Sequence, residues 1–324
     1  LGLRKNDKFW TSPNSFVASA NCGIHCGAKV DFVDIDNDTW NISTNLLKKK
    51  LKNCKRANLP KIIIPVHFSG QATDQKEIWK LSKKYKFRII EDASHSLGAL
   101  HRGEKVGSCK WSDITVFSFH PVKPITTAEG GMILTNDKKV YQRLLKIRNN
   151  GITREYSELK NKKNSYWYYE QQTLGFNYRM NEIEATLGVS QLKRLKKFVK
   201  KRNQIAKIYN SNLKDLPLKL PTVLNNNYST FHLYVVRMKS DNIKNYSYNK
   251  FFKKIRSRGI GINLHYIPIH KHPFYQNLGL NFKDLRNSEK YSNEAISLPI
   301  YHDLTLRDQK KVIRVLKKVL INEG

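Results

Sequence analysis

Two segments of the chain, FRIIEDASHSLGAL (Phe87–Leu100) and ITVFSFHPVKPITTAEGGM (Ile114–Met132), decide its fold. Each begins with a short apolar run that is typical of a buried strand, and each continues into a polar loop that contains glycine. In α/β proteins, ligands bind beyond the carboxyl ends of the strands. Asp92 and Lys123 each follow one of the predicted strands, so both are placed to point into a site.

Short apolar runs alternate with helical patterns on both sides of these segments. From Ala28 to Asn136, the pattern predicts five strands separated by helices: Val30–Val33, Lys61–Val66, Phe87–Glu91, Ile114–Phe119 and Gly131–Thr135. Strands that alternate with helices favour a mostly parallel sheet covered on both faces. The predicted class is therefore α/β.

The second half of the chain has a different pattern. A long helical periodicity over Asn181–Leu213 predicts a helix that links two domains. Beyond it, strands are predicted at Phe231–Met238 and Ile260–Ile267, and helices at Asn249–Arg258 and Thr305–Leu320. We predict a large domain over residues 1–200, which ends in the linking helix, and a smaller α+β domain over 201–324.

The chain is strongly basic, with 59 Lys and Arg against 26 Asp and Glu and a net charge of +33. A basic surface attracts anions, and nucleic acid is one candidate. However, the lysines are spread along the polar faces of predicted helices, and no nucleic-acid recognition motif accompanies them. A non-catalytic protein that binds an anionic partner stays a remote alternative, and specific nucleic-acid binding is not expected.

Apolar runs and cysteine spacing argue against a membrane protein, a secreted disulfide-rich protein and a zinc protein. No apolar run approaches the roughly 20 residues needed to span a membrane, and the start LGLRKNDKFW lacks the apolar core of a signal peptide. The expected compartment is the cytoplasm. The four cysteines are too few for a disulfide scaffold, and their spacing does not match a zinc site, so no metal is expected.

The polar residues after the predicted strands meet the needs of one cofactor. Pyridoxal phosphate (PLP) requires a lysine, an acid opposite its pyridine nitrogen, and donors for its phosphate. Lys123, Asp92 and Ser118 are residues of these types. Taken singly, an Asp after a strand is usually a turn or cap residue and a loop Lys is usually solvated. Residue type alone therefore does not identify PLP.

Several further motifs resemble those of the DegT-type sugar-nucleotide aminotransferases, which have the aspartate-aminotransferase-like fold (PLP-dependent transferase fold type I). The matching stretches are Thr11–Asp36, Pro65–Asp74, Glu91–Ala99, Ser118–Met132, Leu174–Leu192 and Gly261–His270. They occur in the family's order and cover essentially the whole chain. Family members normally begin with a further segment that helps to bind the cofactor phosphate, and we expect that N-terminal segment to be missing here.

The resemblance implies a role for each matching residue at the cofactor. Lys123 would hold PLP covalently and Asp92 would pair with its pyridine nitrogen. His95 would lie near the ring hydroxyl, Ser118 would bind the phosphate, and Phe16 would stack on the ring. Some relatives carry His in place of the lysine and dehydrate the sugar, so Lys123 favours amination.

The resemblance also implies a partner subunit. Asn177 would reach the phosphate in the neighbouring subunit, and Arg179 would lie near that shared site as a substrate-binding residue. The expected assembly is a homodimer.

A narrower resemblance concerns the 4-aminotransferases of pseudaminic acid biosynthesis. It is carried by Gly151–Tyr156, Trp167–Met180 and Gly259–His270. It implies L-glutamate as donor and C4 of a UDP-linked 2-acetamido-2,6-dideoxy-4-keto-hexose as acceptor, for a surface or flagellar glycan. His265 and Tyr266 would lie near the sugar nucleotide, although a buried strand end would explain them equally. Amination of another 3- or 4-keto-sugar nucleotide, or a PLP-dependent dehydration, stays an alternative.

Overall fold

The structure is a computed structural model, and it describes residues 1–162, 165–239, 247–280 and 282–321. The strands are β1 (Lys8–Thr11), β2 (Lys29–Phe32), β3 (Ile62–Ile64), β4 (Arg88–Asp92), β5 (Leu100–His101), β6 (Glu104–Lys105), β7 (Ile114–Ser118), β8 (Gly131–Leu134), β9 (Ile152–Thr153), β10 (Glu170–Gln171), β11 (Leu218–Lys219), β12 (Asn227–Tyr228), β13 (Tyr234–Met238) and β14 (Ala295–Leu298). The α-helices are α1 (Ala18–His25), α2 (Thr44–Asn53), α3 (Gln75–Tyr85), α4 (Lys138–Arg148), α5 (Glu182–Leu213), α6 (Tyr248–Ser257), α7 (Pro273–Gln276), α8 (Arg286–Ser292) and α9 (Leu306–Ile321).

The largest sheet has six strands in the order β2-β1-β3-β4-β7-β8. Its neighbouring strands pair in parallel except for β7 and β8, which are antiparallel. Asp92 at the end of β4 lies opposite Val116 of β7. Because β8 returns antiparallel from Gly131 to β7, the loop that contains Lys123 lies at the same edge of the sheet as Asp92. The topology thus places the two predicted residues at one edge.

Helices cover both faces of this sheet. Successive strand residues point to opposite faces, so Trp10 and Ile63 pack against Leu47 of α2 and Ile78 of α3. On the other face, Phe9 and its neighbours pack against α1; the shared core there is Phe9, Ala20, Val30, Phe32, Ile62 and Ile64. The prediction of a mostly parallel sheet between helices is confirmed.

Helix α5 begins with a reciprocal cap. The side chain of Asn181 accepts a hydrogen bond from the backbone of Glu184 at 2.9 Å, and the Glu184 carboxylate accepts from the backbone of Asn181 at 3.1 Å. The far half of α5 packs into a separate core with β13, β14 and α9, which includes Tyr209, Val236, Ile296 and Leu316. A three-stranded antiparallel sheet, β11-β13-β14, belongs to this region. The domain boundary at residue 200 stays a prediction.

One predicted strand is absent. No named strand lies within Ile260–Ile267, where only Asn263 forms an isolated bridge, to Ser297. The strand that pairs with β13 is instead β14. The segment contains Gly261 and directly follows Gly259, and glycine weakens a regular strand. The side chains of His265 and Tyr266 form hydrogen bonds that do not belong to a strand ladder. The prediction of a strand over Ile260–Ile267 is therefore wrong.

The described residues also bear on the cysteines and on membranes. Cys22, Cys26, Cys54 and Cys109 are free thiols. Within the described ranges, no group of three or more His, Cys, Asp or Glu side chains is arranged to hold a metal ion. In the same part of the chain, no helix combines the length and the apolar character that crossing a bilayer requires.

Candidate active site

The carboxylate of Asp92 is held by three hydrogen bonds at the carboxyl end of β4. The Ser19 hydroxyl, on α1, donates to Oδ2 at 2.5 Å. Ser94 donates to Oδ1 from its hydroxyl at 2.6 Å and from its backbone N–H at 3.1 Å. Donors to both oxygens fix the direction of the carboxylate. The edge of the sheet therefore presents a carboxylate of fixed direction.

Lys123 shares the surroundings of this carboxylate. Its backbone N–H donates to the carbonyl of His120 at 2.9 Å, which closes a turn in the loop between β7 and β8. Burial lowers the pKa of the Lys123 amine below its usual value, and the negative charge of Asp92 opposes that shift. A half-buried amine of this kind loses its proton more readily than an exposed lysine, which is the state a nucleophilic amine needs.

His95 lies in the same pocket as a neutral imidazole. Its Nδ1 accepts a hydrogen bond from the backbone N–H of Ser69 at 3.3 Å, and its Nε2 lies 3.2 Å from the Tyr266 hydroxyl. Burial holds the pKa of His95 well below its usual range, and the nearby Lys123 and His265 act in the same direction. Because Nδ1 is an acceptor, the single proton of the neutral ring resides on Nε2.

His265 and Tyr266 also belong to this group. The Nδ1 of His265 lies 2.8 Å from the Ser297 hydroxyl. Burial lowers the pKa of His265 to about 4, with a smaller contribution from Lys123. Burial raises the pKa of Tyr266, and the charge of Asp92 adds to the rise. Both side chains are thus neutral near pH 7 and lie within electrostatic reach of Lys123 or Asp92.

Phe16 packs beside Tyr266, and Ser118 lies at the end of β7, at the same edge of the sheet as Asp92. The Phe16 ring is 61% exposed and its centroid is 6.2 Å from that of Tyr266, so one face is free to contact a ligand. Ser118 ends β7, and its hydroxyl accepts a hydrogen bond from the backbone N–H of His120 at 3.4 Å. That hydroxyl can still donate its own proton.

Asn177 and Arg179 lie on the exposed segment before α5. Asn177 forms an isolated bridge with Asn149, whose side chain also accepts a hydrogen bond from Arg179 at 2.6 Å. Among the described residues, neither side chain hydrogen-bonds to the group formed by Asp92, Lys123 and His95. The structure therefore does not bring these two predicted residues into the pocket of their own chain.

Sequence reasoning missed several polar neighbours of the pocket. Ser19 and Ser94 bind Asp92, and Ser69 binds His95. The imidazole of His232 packs against that of His95, with ring centroids 4.4 Å apart and the planes tilted by 39°. His232 lies two residues before β13, in a stretch whose apolar pattern predicts a buried strand. A histidine beside a buried strand was the one available signal.

A comparison with protein families decides the identity of the chain. Residues 1–317 match the model of the DegT/DnrJ/EryC1/StrS aminotransferase family. The chain belongs to this family. It is a sugar aminotransferase, and the resemblance found in the sequence is confirmed.

Individual members of the family are similar over nearly the whole chain. A Campylobacter jejuni UDP-4-amino-4,6-dideoxy-N-acetyl-beta-L-altrosamine transaminase is 35% identical over 312 residues, which cover 96% of this chain and 78% of that protein. The structure of Helicobacter pylori PseC, an aminotransferase of pseudaminic acid biosynthesis, is similar with a TM-score of 0.87 and 31% identity, over 98% of this chain and 81% of that one. A putative sugar aminotransferase from Streptococcus pneumoniae in its PLP form has a TM-score of 0.87 and 26% identity, over 99% and 82%.

Aminotransferases of this family use PLP, which is therefore the cofactor of this chain. The groups present fit it. Asp92 offers an oriented carboxylate for a protonated pyridine nitrogen, and Lys123 offers an amine that deprotonates readily. His95 offers an N–H for an anionic ring oxygen, and Ser118 a hydroxyl for a phosphate.

Proposed function

We propose that this aminotransferase moves the amino group of L-glutamate to C4 of a UDP-linked 2-acetamido-2,6-dideoxy-4-keto-hexose. L-Glutamate loses its C2 amino group and becomes 2-oxoglutarate, while the C4 carbonyl oxygen of the sugar is replaced by an amino group. The electron pair released at C2 of glutamate reduces C4 of the sugar, so no external oxidant or reductant is needed. PLP, when bound, carries the amino group between the two substrates and acts as the electron sink.

The observation that carries this proposal is the shared environment of Lys123 and Asp92. Because burial lowers the pKa of Lys123, its amine can accept the C2 proton of glutamate and later deliver a proton to C4 of the sugar. Asp92, fixed by Ser19 and Ser94, would keep the pyridine nitrogen of the cofactor protonated.

The remaining cofactor contacts are proposed from the pocket geometry and the resemblance together. His95 would donate from Nε2 to the ring oxygen in place of its contact with the Tyr266 hydroxyl, since Ser69 occupies its other nitrogen. Ser118 would donate to the phosphate, and the exposed face of Phe16 would cover the ring. His265 and Tyr266 flank the same space, and we propose that they contact the sugar nucleotide.

A second copy of the chain is proposed as the partner. Asn177 and Arg179 lie on a surface rich in exposed apolar side chains, among them Leu174 at 88% and Ile183 at 83% exposure. Apolar patches of this kind mark protein interfaces. A homodimer that covers this surface would bring Asn177 and Arg179 to the pocket of the other subunit.

The pathway assignment rests on the named relatives. We propose that the product enters pseudaminic acid and, through it, a bacterial surface or flagellar glycan, with the reaction taking place in the cytoplasm. The same proposal divides the chain into a cofactor domain over residues 1–200 and a smaller domain over 201–324.

Absorbance spectroscopy tests the reaction in two steps. The protein with PLP should show a visible band that L-glutamate removes, and Lys123→Ala should lack the wild-type band. Addition of the UDP-4-keto-sugar should restore the band, and NMR of the product should show the new amino group on C4. A band that glutamate leaves unchanged would overturn the donor, and restoration only by a different keto-sugar nucleotide would overturn the acceptor.

A further inference from the structure

His232 is a buried imidazole that has no role in the proposed reaction. It is 6% exposed and lies between α5 and the start of β13. Its ring centroid is 4.4 Å from that of His95, with 39° between the ring planes. Within the described residues, its Nδ1 is buried without a hydrogen-bond partner. The contact that the structure shows for this side chain is therefore with the His95 ring, and its Nδ1 takes no part in a hydrogen bond among the described residues.

The backbone around His232 is tightly fixed. The guanidinium of Arg202, itself buried on α5, donates to the carbonyl oxygens of Phe231 and His232, both at 3.1 Å, and to that of Ile300 at 3.0 Å. Phe231 has φ of 46°, in the left-handed region that residues other than glycine rarely adopt. Such a conformation persists where the surroundings determine it.

The same segment is fastened to the residues that hold His95. The Thr230 hydroxyl donates to the carbonyl of His95 at 2.7 Å. Ser69, whose N–H binds Nδ1 of His95, donates from its hydroxyl to the carbonyl of Leu233 at 2.7 Å. The segment 230–233 therefore contacts His95 at two points, the backbone carbonyl and the imidazole ring of His95. It also holds Ser69, the hydrogen-bond partner of His95.

We propose that His232 is a positioning residue, which packs against the ring of His95 and holds that ring so that its Nε2–H points at the cofactor. Both imidazoles can pack closely because both are neutral. Burial holds the pKa of His232 well below its usual range, and His95, Lys123, Arg202 and His265 act in the same direction. The inference rests on the proposed place of His95 at the cofactor.

Three variants separate ring packing from hydrogen bonding. His232→Ala removes the ring, His232→Gln keeps a polar group without a ring, and His232→Phe keeps a flat ring without nitrogens. The visible circular dichroism of bound PLP reports the orientation of the cofactor, and titration of the apoprotein gives its dissociation constant. An aromatic pair contributes about 0.5–1.5 kcal/mol, so the loss of the ring should raise the dissociation constant about two- to tenfold.

We expect Ala and Gln to change the dichroism and weaken PLP binding, while Phe retains the wild-type values. The control is His101→Ala, which removes another buried imidazole that packs on an aromatic ring, that of Trp111, outside the pocket. It should lower the melting temperature of the apoprotein without altering the cofactor signal. Equal cofactor signals in wild type and His232→Ala, or a loss in Phe but not in Gln, would overturn the inference. A wild type that binds no PLP would overturn the proposed function as well.

Discussion

Ser19 donates a hydrogen bond of 2.5 Å to Oδ2 of Asp92 and so ties α1 to the carboxyl end of β4. The hydroxyl of Ser15 lies 2.7 Å from that of Ser19, while Ser94 binds the other carboxylate oxygen. The carboxylate is thus held between donors from two separate elements, and its direction depends on how α1 packs against the sheet.

Ser19→Ala should weaken cofactor binding. A hydrogen bond to a charged group contributes roughly 1.5–3 kcal/mol, so the dissociation constant of PLP should rise about tenfold or more. Titration of the apoprotein with PLP, followed by absorbance, measures it. Ser19→Thr retains the hydroxyl and should bind like wild type. An unchanged constant in Ser19→Ala would show that Ser94 alone suffices to hold Asp92.

The amine of Lys123 should titrate below the usual range of lysine. Burial lowers its pKa and the charge of Asp92 raises it, so Asp92→Asn should lower the pKa further. Acetylation of the apoprotein across a pH series, with each lysine quantified by mass spectrometry, gives the midpoint for every amine. Lys52, exposed on α2, serves as the internal reference. A midpoint for Lys123 that equals that of Lys52, or that rises in Asp92→Asn, would contradict the shared environment.

His265 should make the protein sensitive to mild acid. Burial lowers its pKa from 6.5 to about 4, so between these values the unfolded chain binds a proton that the folded chain does not. The contribution of His265 to the free energy of unfolding is therefore fully present above pH 6.5. It is lost as the pH drops towards 4, and the loss is on the order of 2 kcal/mol. Urea unfolding at a series of pH values should show a smaller acid loss in His265→Gln. His25→Gln, which changes an exposed histidine at the end of α1, should retain the wild-type loss. An equal slope in both variants would refute the assignment.

The sequence predicted the parts of the fold that local pattern controls. The apolar runs before Asp92 and Lys123 are long enough to identify strands, and α5 carries both its periodicity and its cap at Asn181. Strand β1, only four residues long, was not predicted as a separate element. Ile260–Ile267 has strand-like alternation, yet tertiary contacts of His265 and Tyr266 determine its path.

The candidate site also contains residues that the sequence predicts and residues that only the structure shows. Asp92 and Lys123 follow predicted strands, so the topology rule alone places them near one another. Ser19 and His232 approach from α1 and from the segment before β13, and the burial and ring contact of His232 depend on packing between distant parts of the chain. No local pattern reports such a contact.

The exposed position of Asn177 and Arg179 leads to a test of shared sites with two inactive variants. If Lys123 of one subunit works with Asn177 of the other, a mixed dimer of Lys123→Ala and Asn177→Ala contains one site with both defects and one intact site. Randomly mixed subunits should then recover about a quarter of the wild-type activity, from parents that have little. The assay follows the formation of 2-oxoglutarate after co-refolding or co-expression. The control is Lys123→Ala mixed with Asp92→Asn. Because both of these residues belong to the site of their own chain, no intact site can form in that mixture. Recovery equal to the mean of the two parents would place Asn177 outside the partner's site and would remove the functional reason for the dimer.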